Sequence, residues 1–413
     1  MMKSWIPVAE HSDFPIQNIP FGIFSTPNKT ARPGVAIGEN IIDLKVLDEN
    51  GFFSHLPFTK NDFDVCVLNH LMRHGKKHMS SLRNRIIELL KEGNNELAQH
   101  SCLPEALVHQ KDATMHLPVQ IGDYTDFYSS EDHARNVGTM FRDPAKALLP
   151  NWKHLPVGYH GRSSTIVPSG TMIRRPKGQI NPSDDTPPTF GPTQQLDFEL
   201  EMAFITFDGK PMGESISPDE AADHIFGFVI FNDWSARDIQ RWEYVPLGPF
   251  LAKNFASTIS PWIVTLDALA PFHHPGKKQD PEVLPYLRFQ GNYHVDIELE
   301  VSIIPENASP TVVSRSNYKY MYWNYAQQLA HHTIGGCAIR GGDMMASGTI
   351  SGPDKGSYGS MLEIAWKGTQ PITMSDGTAR KFILDNDTVL MRGFAEGNGY
   401  RIGFGDCSGK IIG

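Results

Sequence analysis

Long apolar runs, basic tracts and paired cysteines are all missing from this chain of 413 residues. No stretch approaches the ~20 apolar residues that a membrane-spanning helix requires. The formal net charge is −9 without a cluster of Lys or Arg, which argues against nucleic acid or a membrane surface as partner. The opening residues lack the apolar core of a signal peptide, and the 4 cysteines show no C-x-x-C spacing. We therefore expect free thiols and a cytoplasmic location.

The motifs of several large enzyme classes are missing as well. The sequence contains neither the G-x-S-x-G turn of serine hydrolases nor the H-E-x-x-H pair of zinc proteases. The glycines at 397–399 lie near the end of the chain without a helix pattern after them, which excludes a dinucleotide-binding fingerprint. Chemistry carried by oxygen-rich side chains is what remains.

The composition predicts a mainly β protein with some helices. Hydrophobic residues make up 40% of the chain, and its 30 Pro and 36 Gly accompany many short alternating runs. A strand–turn–strand pattern at 35–44 and an amphipathic helix at 80–97 indicate a separate N-terminal unit. The segment 101–117 is interpreted as a linker, so the predicted domains cover residues 1–117 and 118–413.

The most informative stretch is 196–202, where polar and apolar residues alternate strictly. This is the period of a β-strand, so Asp197, Glu199 and Glu201 point to one side at a spacing of about 7 Å. No Lys or Arg is interleaved, and such a face needs water or a cation. The stretch 295–301 has the same pattern, and an alternating acidic strand is commonly a solvated sheet face. Periodicity alone does not choose between these interpretations.

Two further segments carry candidate side chains. Ser129 is predicted to cap a helix, which places Asp126 and Tyr128 on its entry loop and His133 in its first turn. Taken alone, His133 also fits an ordinary helix histidine. Lys253 lies in a mostly apolar run, where it either reaches out to solvent or is held in a pocket as the partner of an oxyanion.

A buried strand at 225–231 is predicted to lead into a helix that follows the cap Asn232-Asp233. Asp233, Arg237, Gln240 and Tyr244 would share one face of that helix. The face is either an exposed salt bridge or a substrate-binding wall, and the spacing leaves both open.

Four of these carboxylates, from Asp126, Glu199, Glu201 and Asp233, are the hard oxygen ligands that Ca²⁺ and Mg²⁺ prefer. The spacing does not show that they meet. Taken together with their neighbours, however, the motifs closely resemble the fumarylacetoacetase family over nearly the entire chain. The stretches that carry the resemblance are 126–128, His133, 197–201, 232–240 and 348–352.

The resemblance implies a small N-terminal SH3-like β-barrel, a large C-terminal β-roll domain and a homodimer. It implies hydrolysis of the carbon–carbon bond of 4-fumarylacetoacetate, the last step of tyrosine and phenylalanine breakdown. The other activities of the superfamily, which are acylpyruvate hydrolysis, decarboxylation and isomerisation, stay open as alternatives. A non-enzymatic Ca²⁺-binding β-protein is the remaining one.

The resemblance also implies roles for individual residues. The four carboxylates would bind Ca²⁺ or Mg²⁺, and a second cation would involve Asp233, the backbone carbonyl of Lys253 and Ser257. His133 would be the base, with Glu363 orienting it. The residues implied to face developing negative charge are Arg237, Gln240 and Lys253. Those implied to hold the substrate are Tyr128, Arg142, Tyr159, Gln240, Tyr244 and Thr349.

Overall fold

The computed structural model describes residues 2–183 and 185–413. Its α-helices are α1 (Leu44–Glu49), α2 (Lys60–Phe63), α3 (Asn69–Met72), α4 (Gly75–Leu90), α5 (Leu103–Ala106), α6 (Glu131–Phe141), α7 (Arg237–Glu243), α8 (Leu266–Leu269), α9 (Tyr325–Thr333) and α10 (Met361–Ile364). None of the helices in the described residues is both long and apolar enough to cross a bilayer.

The N-terminal part is built on one antiparallel sheet in the order β4-β3-β2-β1-β5. Its strands are β1 (Phe21–Thr26), β2 (Lys29–Ile37), β3 (Asn40–Asp43), β4 (Leu107–His109) and β5 (Thr114–His116). The two edge strands are joined by a single 3₁₀ turn at Gln110–Asp112, so the sheet must curl until its edges approach each other. This is the small barrel that the fold-class prediction described.

Two details of the sequence interpretation are wrong in this part. The segment 101–117 is no linker, because it supplies α5 and both edge strands of the barrel sheet. Pro104 lies in the first turn of α5, where a missing N–H costs nothing, so it does not interrupt structure there. The predicted helix 80–97 begins earlier, at Gly75, and ends at Leu90. The domain boundary at 117/118 stays a prediction.

The remaining strands form two larger sheets and several two-stranded ribbons. They are β6 (Tyr124–Phe127), β7 (Gly158–His160), β8 (Ile166–Pro168), β9 (Met172–Arg174), β10 (Lys177–Ile180), β11 (Thr189–Pro192), β12 (Leu196–Asp197), β13 (Leu200–Thr206), β14 (Ile225–Asn232), β15 (Ser235–Ala236), β16 (Ser257–Ile259), β17 (Val264–Thr265), β18 (His273–His274), β19 (His294–Val295), β20 (Glu298–Ile304), β21 (Thr311–Asn317), β22 (Met344–Ala346), β23 (Ile372–Thr373), β24 (Ala379–Arg380), β25 (Thr388–Gly397), β26 (Tyr400–Gly403) and β27 (Cys407–Ile412).

The central sheet has eight strands in the order β7-β6-β22-β13-β14-β16-β8, with β17 beside β14. Both of its faces are buried. Met202 and Phe204 of β13 join a core shared with the six-stranded sheet β21-β20-β25-β27-β9, which β26 extends. The alternate residues Ala203 and Ile205 pack in the core of the N-terminal part. The central sheet therefore lies between two layers, and the prediction of a mainly β fold with a small N-terminal and a large C-terminal part is confirmed.

The acidic strand departs from its predicted form. It breaks into β12 and β13 at residues 198 and 199, and Asp197, Glu199 and Glu201 are all buried rather than wet. The similar stretch at 295–301 is ordinary sheet surface, since Glu298 of β20 is exposed and Glu300 pairs with Arg315 at 2.9 Å. The two acidic stretches have the same periodicity, but they differ in how deeply their carboxylates are buried.

Candidate active site

Four carboxylates meet at one edge of the central sheet. Asp126 lies in β6 and Glu201 in β13, while Glu199 precedes β13 and Asp233 directly follows β14. The strands run side by side in the order β6-β22-β13-β14, which brings these four segments together from distant parts of the sequence. One oxygen from each carboxylate lies within 4.8 Å of the others, and all four side chains are buried. We call this set the carboxylate cluster.

Two buried cations contact the cluster. Lys253 Nζ donates to Glu199 Oε2 at 2.5 Å and to Asp233 Oδ2 at 2.6 Å. Arg237 Nη2 lies 2.7 Å from Glu199 Oε1, so Glu199 has a cationic partner at each oxygen. No Lys or Arg is interleaved in the acidic stretch itself, and its cationic partners come from elsewhere in the chain.

Around Asp126 and Glu201, on the side of the cluster away from Lys253, the negative charge is not balanced by a cation among the described residues. Burial, reinforced by Asp233, raises the pKa of Asp126 well above its ordinary value. Burial and the neighbouring Asp126 raise the pKa of Glu201 in the same way. For Glu199 burial acts upward too, but Lys253 and Arg237 outweigh it and lower the pKa of that carboxyl. The side of the cluster away from Lys253 is thus short of positive charge.

The cluster fits a divalent cation. Asp126 Oδ1 and Glu201 Oε1 are buried and find no hydrogen-bond partner among the described residues. Buried carboxylate oxygens are ordinarily paired, and an unpaired one costs free energy unless it is protonated or binds a metal. Hard oxygen donors, with no Cys or His among the four, suit Ca²⁺ or Mg²⁺.

A histidine–glutamate pair lies beside the cluster. His133 is in the first turn of α6, and its Nδ1 is 2.7 Å from Glu363 Oε2. Both side chains are buried. Burial opposes ionisation of Glu363, but His133 and the hydrogen bonds of Asn136 and Ser360 lower its pKa. Since an ionised carboxylate only accepts, Nδ1 carries a proton, and in the neutral imidazole Nε2 is then the acceptor.

The local fold of this pair differs in one point from the prediction. The residue that caps α6 is Ser130, not Ser129, and its hydroxyl accepts the backbone N–H of His133 at 3.2 Å. Ser129 instead accepts a hydrogen bond from Gln328 on α9. The shift by one residue leaves Asp126 and Tyr128 ahead of the helix and His133 in its first turn.

Of the side chains implied to hold the substrate, some lie near the carboxylate cluster and others are exposed. Near the cluster, the Tyr159 hydroxyl donates to Asp233 at 3.3 Å, and Gln240 Oε1 accepts from Arg237 Nη1 at 3.2 Å. The ring of Tyr128 lies 5.2 Å from that of His133, and Thr349 is buried beyond β22.

Others of the set are exposed or serve a different contact. Arg142 is exposed at the end of α6 and donates to the carbonyl of Ala147 at 2.7 Å. Tyr244 is exposed at the end of α7. The predicted helix face from Asp233 to Tyr244 is wrong, since α7 begins only at Arg237. Ser257 Oγ donates to Asp233 Oδ1 at 2.9 Å.

Sequence reasoning missed several supporting groups. The carboxylate of Glu363 also accepts from Asn136 Nδ2 at 2.9 Å, from Ser351 Oγ at 2.9 Å and from Ser360 Oγ at 2.8 Å. The Ser-x-x-Glu spacing of Ser360 and Glu363, typical of a helix start, was the available signal. The backbone N–H of Gly348, which donates to Glu201 Oε2 at 2.8 Å, left no side-chain signal at all.

Comparison with known proteins covers almost the whole chain. A family model described as "Fumarylacetoacetate (FAA) hydrolase C-terminal" matches residues 123–411, and one described as "Fumarylacetoacetase N-terminal" matches residues 17–118. Fumarylacetoacetase of Homo sapiens is 52% identical over 412 residues, which are 99% of this chain and 98% of that protein. The fumarylacetoacetase of Dictyostelium discoideum is 52% identical over 419 residues, covering 100% of this chain and 98% of that protein.

Among solved structures, a fumarylacetoacetate hydrolase from Exiguobacterium antarcticum superimposes with a TM-score of 0.53 at 17% identity. The match covers 95% of this chain and 99% of the other. At this identity the likeness concerns the fold alone.

Proposed function

The chain belongs to the fumarylacetoacetate hydrolase family, and on that premise we propose that it hydrolyses 4-fumarylacetoacetate to fumarate and acetoacetate. The observation that carries this proposal is the identity of about half the residues to fumarylacetoacetases over the full length. The buried His133–Glu363 pair beside the carboxylate cluster supports it chemically. Cleaving a carbon–carbon bond next to a carbonyl with water needs a base for the water and a positive environment for the leaving carbanion.

The proposed reaction is the attack of water on a carbonyl carbon, followed by cleavage of a carbon–carbon bond. The oxygen of a water molecule forms a bond to the carbonyl carbon next to the alkene, and one water proton passes to the base. The bond from that carbon to the neighbouring CH₂ then breaks, and its electron pair leaves as the enolate of acetoacetate. A proton returned to the CH₂ carbon completes acetoacetate, while the hydrated carbonyl becomes the new carboxylate of fumarate.

We assign the base to His133. In the neutral imidazole, Nδ1 donates to Glu363 at 2.7 Å and Nε2 is the nitrogen without a proton. Glu363 stabilises the imidazolium that forms, and its bonds to Asn136, Ser351 and Ser360 keep it ionised and fixed. The pair then has the two properties that a general base needs, the correct tautomer and a held orientation.

Arg237, Gln240 and Lys253 are assigned to the negative charge of the tetrahedral oxygen and the enolate. Burial acts to lower the pKa of Lys253, but Asp233 and Glu199 outweigh it and raise that pKa, so Nζ is an ammonium at neutral pH. Such a group can both attract the enolate and return a proton to carbon. Gln240 bonds Arg237 and limits how far the guanidinium can turn.

The cofactor that we propose for the carboxylate cluster is Ca²⁺ or Mg²⁺, held by Asp126, Glu199, Glu201 and Asp233. When bound, such a cation polarises and orients the diketone oxygens of the substrate. A second cation near Asp233, the Lys253 carbonyl and Ser257 also remains a proposal. Its support is that Ser257 and Asp233 are in direct contact.

Substrate contacts are assigned to Tyr128, Tyr159 and Thr349 near the cluster, and to Arg142 and Tyr244 at the exposed rim. The phenols at the cluster edge are suited to donating hydrogen bonds, since burial raises the pKa of Tyr128 and of Tyr159. Arg142 supplies the positive charge that a terminal carboxylate of the substrate calls for.

We further propose a cytoplasmic homodimer. The loop after α7 exposes several apolar side chains, among them Val245, Leu247 and Phe250, of which Leu247 is 96% exposed. A patch of this kind on one short loop is typical of a protein–protein contact, and a second copy of the chain is the partner that family membership favours.

The proposed function is tested by incubating 4-fumarylacetoacetate with the purified protein and quantifying fumarate and acetoacetate as they form. Equal amounts of the two products, lost on chelation and regained with Ca²⁺ or Mg²⁺, are expected. Absence of both products at every cation concentration would reject the proposal.

A further inference from the structure

Asp197 is a fully buried carboxylate that touches two elements of the site but lies outside the carboxylate cluster. Its Oδ1 accepts the backbone N–H of Met361 at 2.7 Å, and its Oδ2 accepts that of Leu362 at 3.0 Å. Arg237 Nε donates to the same Oδ2 at 2.8 Å. Three donors from two separate segments thus converge on one side chain.

The first of these segments carries the partner of the base. Met361 and Leu362 open α10, and Glu363 is the next residue in that helix. The chain around Asp197 also runs beside this segment, since Leu200 N–H donates to the carbonyl of Gly359 at 2.9 Å. A shift of Asp197 would therefore move the backbone that places the Glu363 carboxylate against His133.

The second segment carries the guanidinium. Arg237 spans Asp197 and Glu199, with Nε on the former and Nη2 on the latter. Asp197 and Glu199 together hold the plane of this guanidinium, because each contacts a different nitrogen of the fork. The burial of Asp197 makes the pair a fixed one rather than a solvated surface contact.

We propose that Asp197 is a positioning residue for the hydrolysis, which acts by fixing α10, and with it the Glu363–His133 pair, relative to Arg237. This inference rests on the proposed function. It separates the three acidic residues of the 197–201 stretch into two classes: Glu199 and Glu201 belong to the carboxylate cluster, while Asp197 holds the groups that act on water and substrate.

The test is Asp197→Asn, which keeps the size of the side chain but leaves at least one of the three donors without an acceptor. We expect kcat to fall about 10–100-fold, the range known for groups that orient reacting residues. KM and the Kd for Ca²⁺ should change less than kcat does, because Asp197 itself belongs neither to the carboxylate cluster nor to the assigned substrate contacts. A proton resonance of the His133 Nδ1–H···Glu363 bond, identified by its loss in His133→Ala, should shift or broaden in the substrate-free protein.

The matched control is Asp387→Asn. Asp387 is also buried, pairs with Arg380 through both oxygens at 2.8 Å, and accepts the backbone N–H of Leu384 at 2.9 Å, all within the 378–387 region. It should lower the melting temperature as Asp197→Asn does, yet keep the wild-type kcat and the His133 resonance. This comparison separates positioning from general destabilisation.

A double-mutant cycle identifies the route. If Asp197 acts through Glu363, then Asp197→Asn added to Glu363→Gln should cost less than about twofold further in kcat. The full penalty in that background, or a single variant with wild-type kcat and an unchanged His133 resonance, would overturn the inference. Failure of the wild-type protein to cleave the substrate would instead reject the proposed function, and the resonance would still report on Asp197.

Should Asp197→Asn not accumulate as folded protein, the guanidinium that loses this partner can be removed as well. Asp197→Asn with Arg237→Gln removes both members of this buried ion pair, and Glu199 keeps its contact with Lys253. This double variant should be about 10-fold or more slower than Arg237→Gln alone, because α10 is still released. Equal rates would overturn the inference.

Discussion

Replacing the base is the perturbation whose effect the structure defines most closely. In His133→Ala the imidazole is lost, but no hydrogen bond of the carboxylate cluster goes with it, because the Nδ1 partner of His133 is Glu363. Removal of a positioned general base slows the chemical step by about 10²–10⁴-fold, which corresponds to about 3–5 kcal/mol of barrier. Binding of the divalent cation and of substrate should stay close to wild type.

The assay is single-turnover cleavage of 4-fumarylacetoacetate with saturating Ca²⁺, alongside a titration of the cation. The control is His294→Ala, because His294 is equally buried, with 3% of its surface exposed. Among the described residues its hydrogen-bond partner is the carbonyl of Met321, which Nε2 contacts. It should lose stability and keep its rate constant. A His133→Ala protein that binds the cation and turns over at the wild-type rate would refute the assignment of the base.

Four further outcomes are expected. Glu363→Gln should lower kcat by about 10–100-fold, which is less than the effect of His133→Ala. The reason is that the amide oxygen still accepts from Nδ1 but cannot offset the imidazolium charge. Equal losses of kcat in the two variants, with both shown to be folded by calorimetry, would contradict this. Glu201→Gln should weaken Ca²⁺ binding at least about tenfold and raise the melting temperature of the metal-stripped protein, while Glu298→Gln on β20 should change neither. In the metal-stripped wild-type protein, the pKa values of Asp126 and Glu201 are raised, so their contribution to stability is present at low pH and lost as the pH rises through those pKa values. Thermal melts that show no such loss, or that show the same loss with Ca²⁺ bound, would contradict this expectation. Leu247→Asp should give a monomeric mass by light scattering, whereas Met212→Asp, at a similarly exposed position of 86%, should leave the dimer intact.

Strand and helix patterns in the sequence predicted much of the architecture. They failed for features that depend on contacts between residues far apart in the sequence. The alternation at 196–202 correctly indicated extended chain, because side-chain period is a local property. It also indicated a face that needs water or a cation and did not choose between them. In the structure these carboxylates are buried, since the central sheet is covered on both sides. A local pattern holds no information about which layer will cover a strand.

The spacing of residues in the sequence also does not show which side chains pair with the charged residues. Lys253 and Arg237 neutralise Glu199 from positions more than thirty residues away, and the tertiary fold brings them there. The pairing of His133 with Glu363 spans 230 residues and came from family resemblance, not from spacing. By contrast, the Ser-x-x-Glu spacing of Ser360 and Glu363 is a local signal that the sequence does contain.

Asp197 illustrates the limit most clearly. In the sequence it is equivalent to Glu199 and Glu201, one member of an alternating acidic trio. In the structure, the interruption of the strand after β12 turns it toward α10 and Arg237 and away from the cluster. A one-dimensional pattern assigns the three residues one role, and the tertiary contacts assign two.

Attack by water is the central step of the proposed reaction, and isotopic labelling tests that step most directly. The Ca²⁺-loaded protein is given 4-fumarylacetoacetate in H₂¹⁸O, and the fumarate formed is analysed by mass spectrometry. We expect fumarate with a single ¹⁸O from solvent, formed at a rate that falls in His133→Ala. Carbon dioxide or an isomer of the substrate as the product, or fumarate without solvent oxygen, would contradict it.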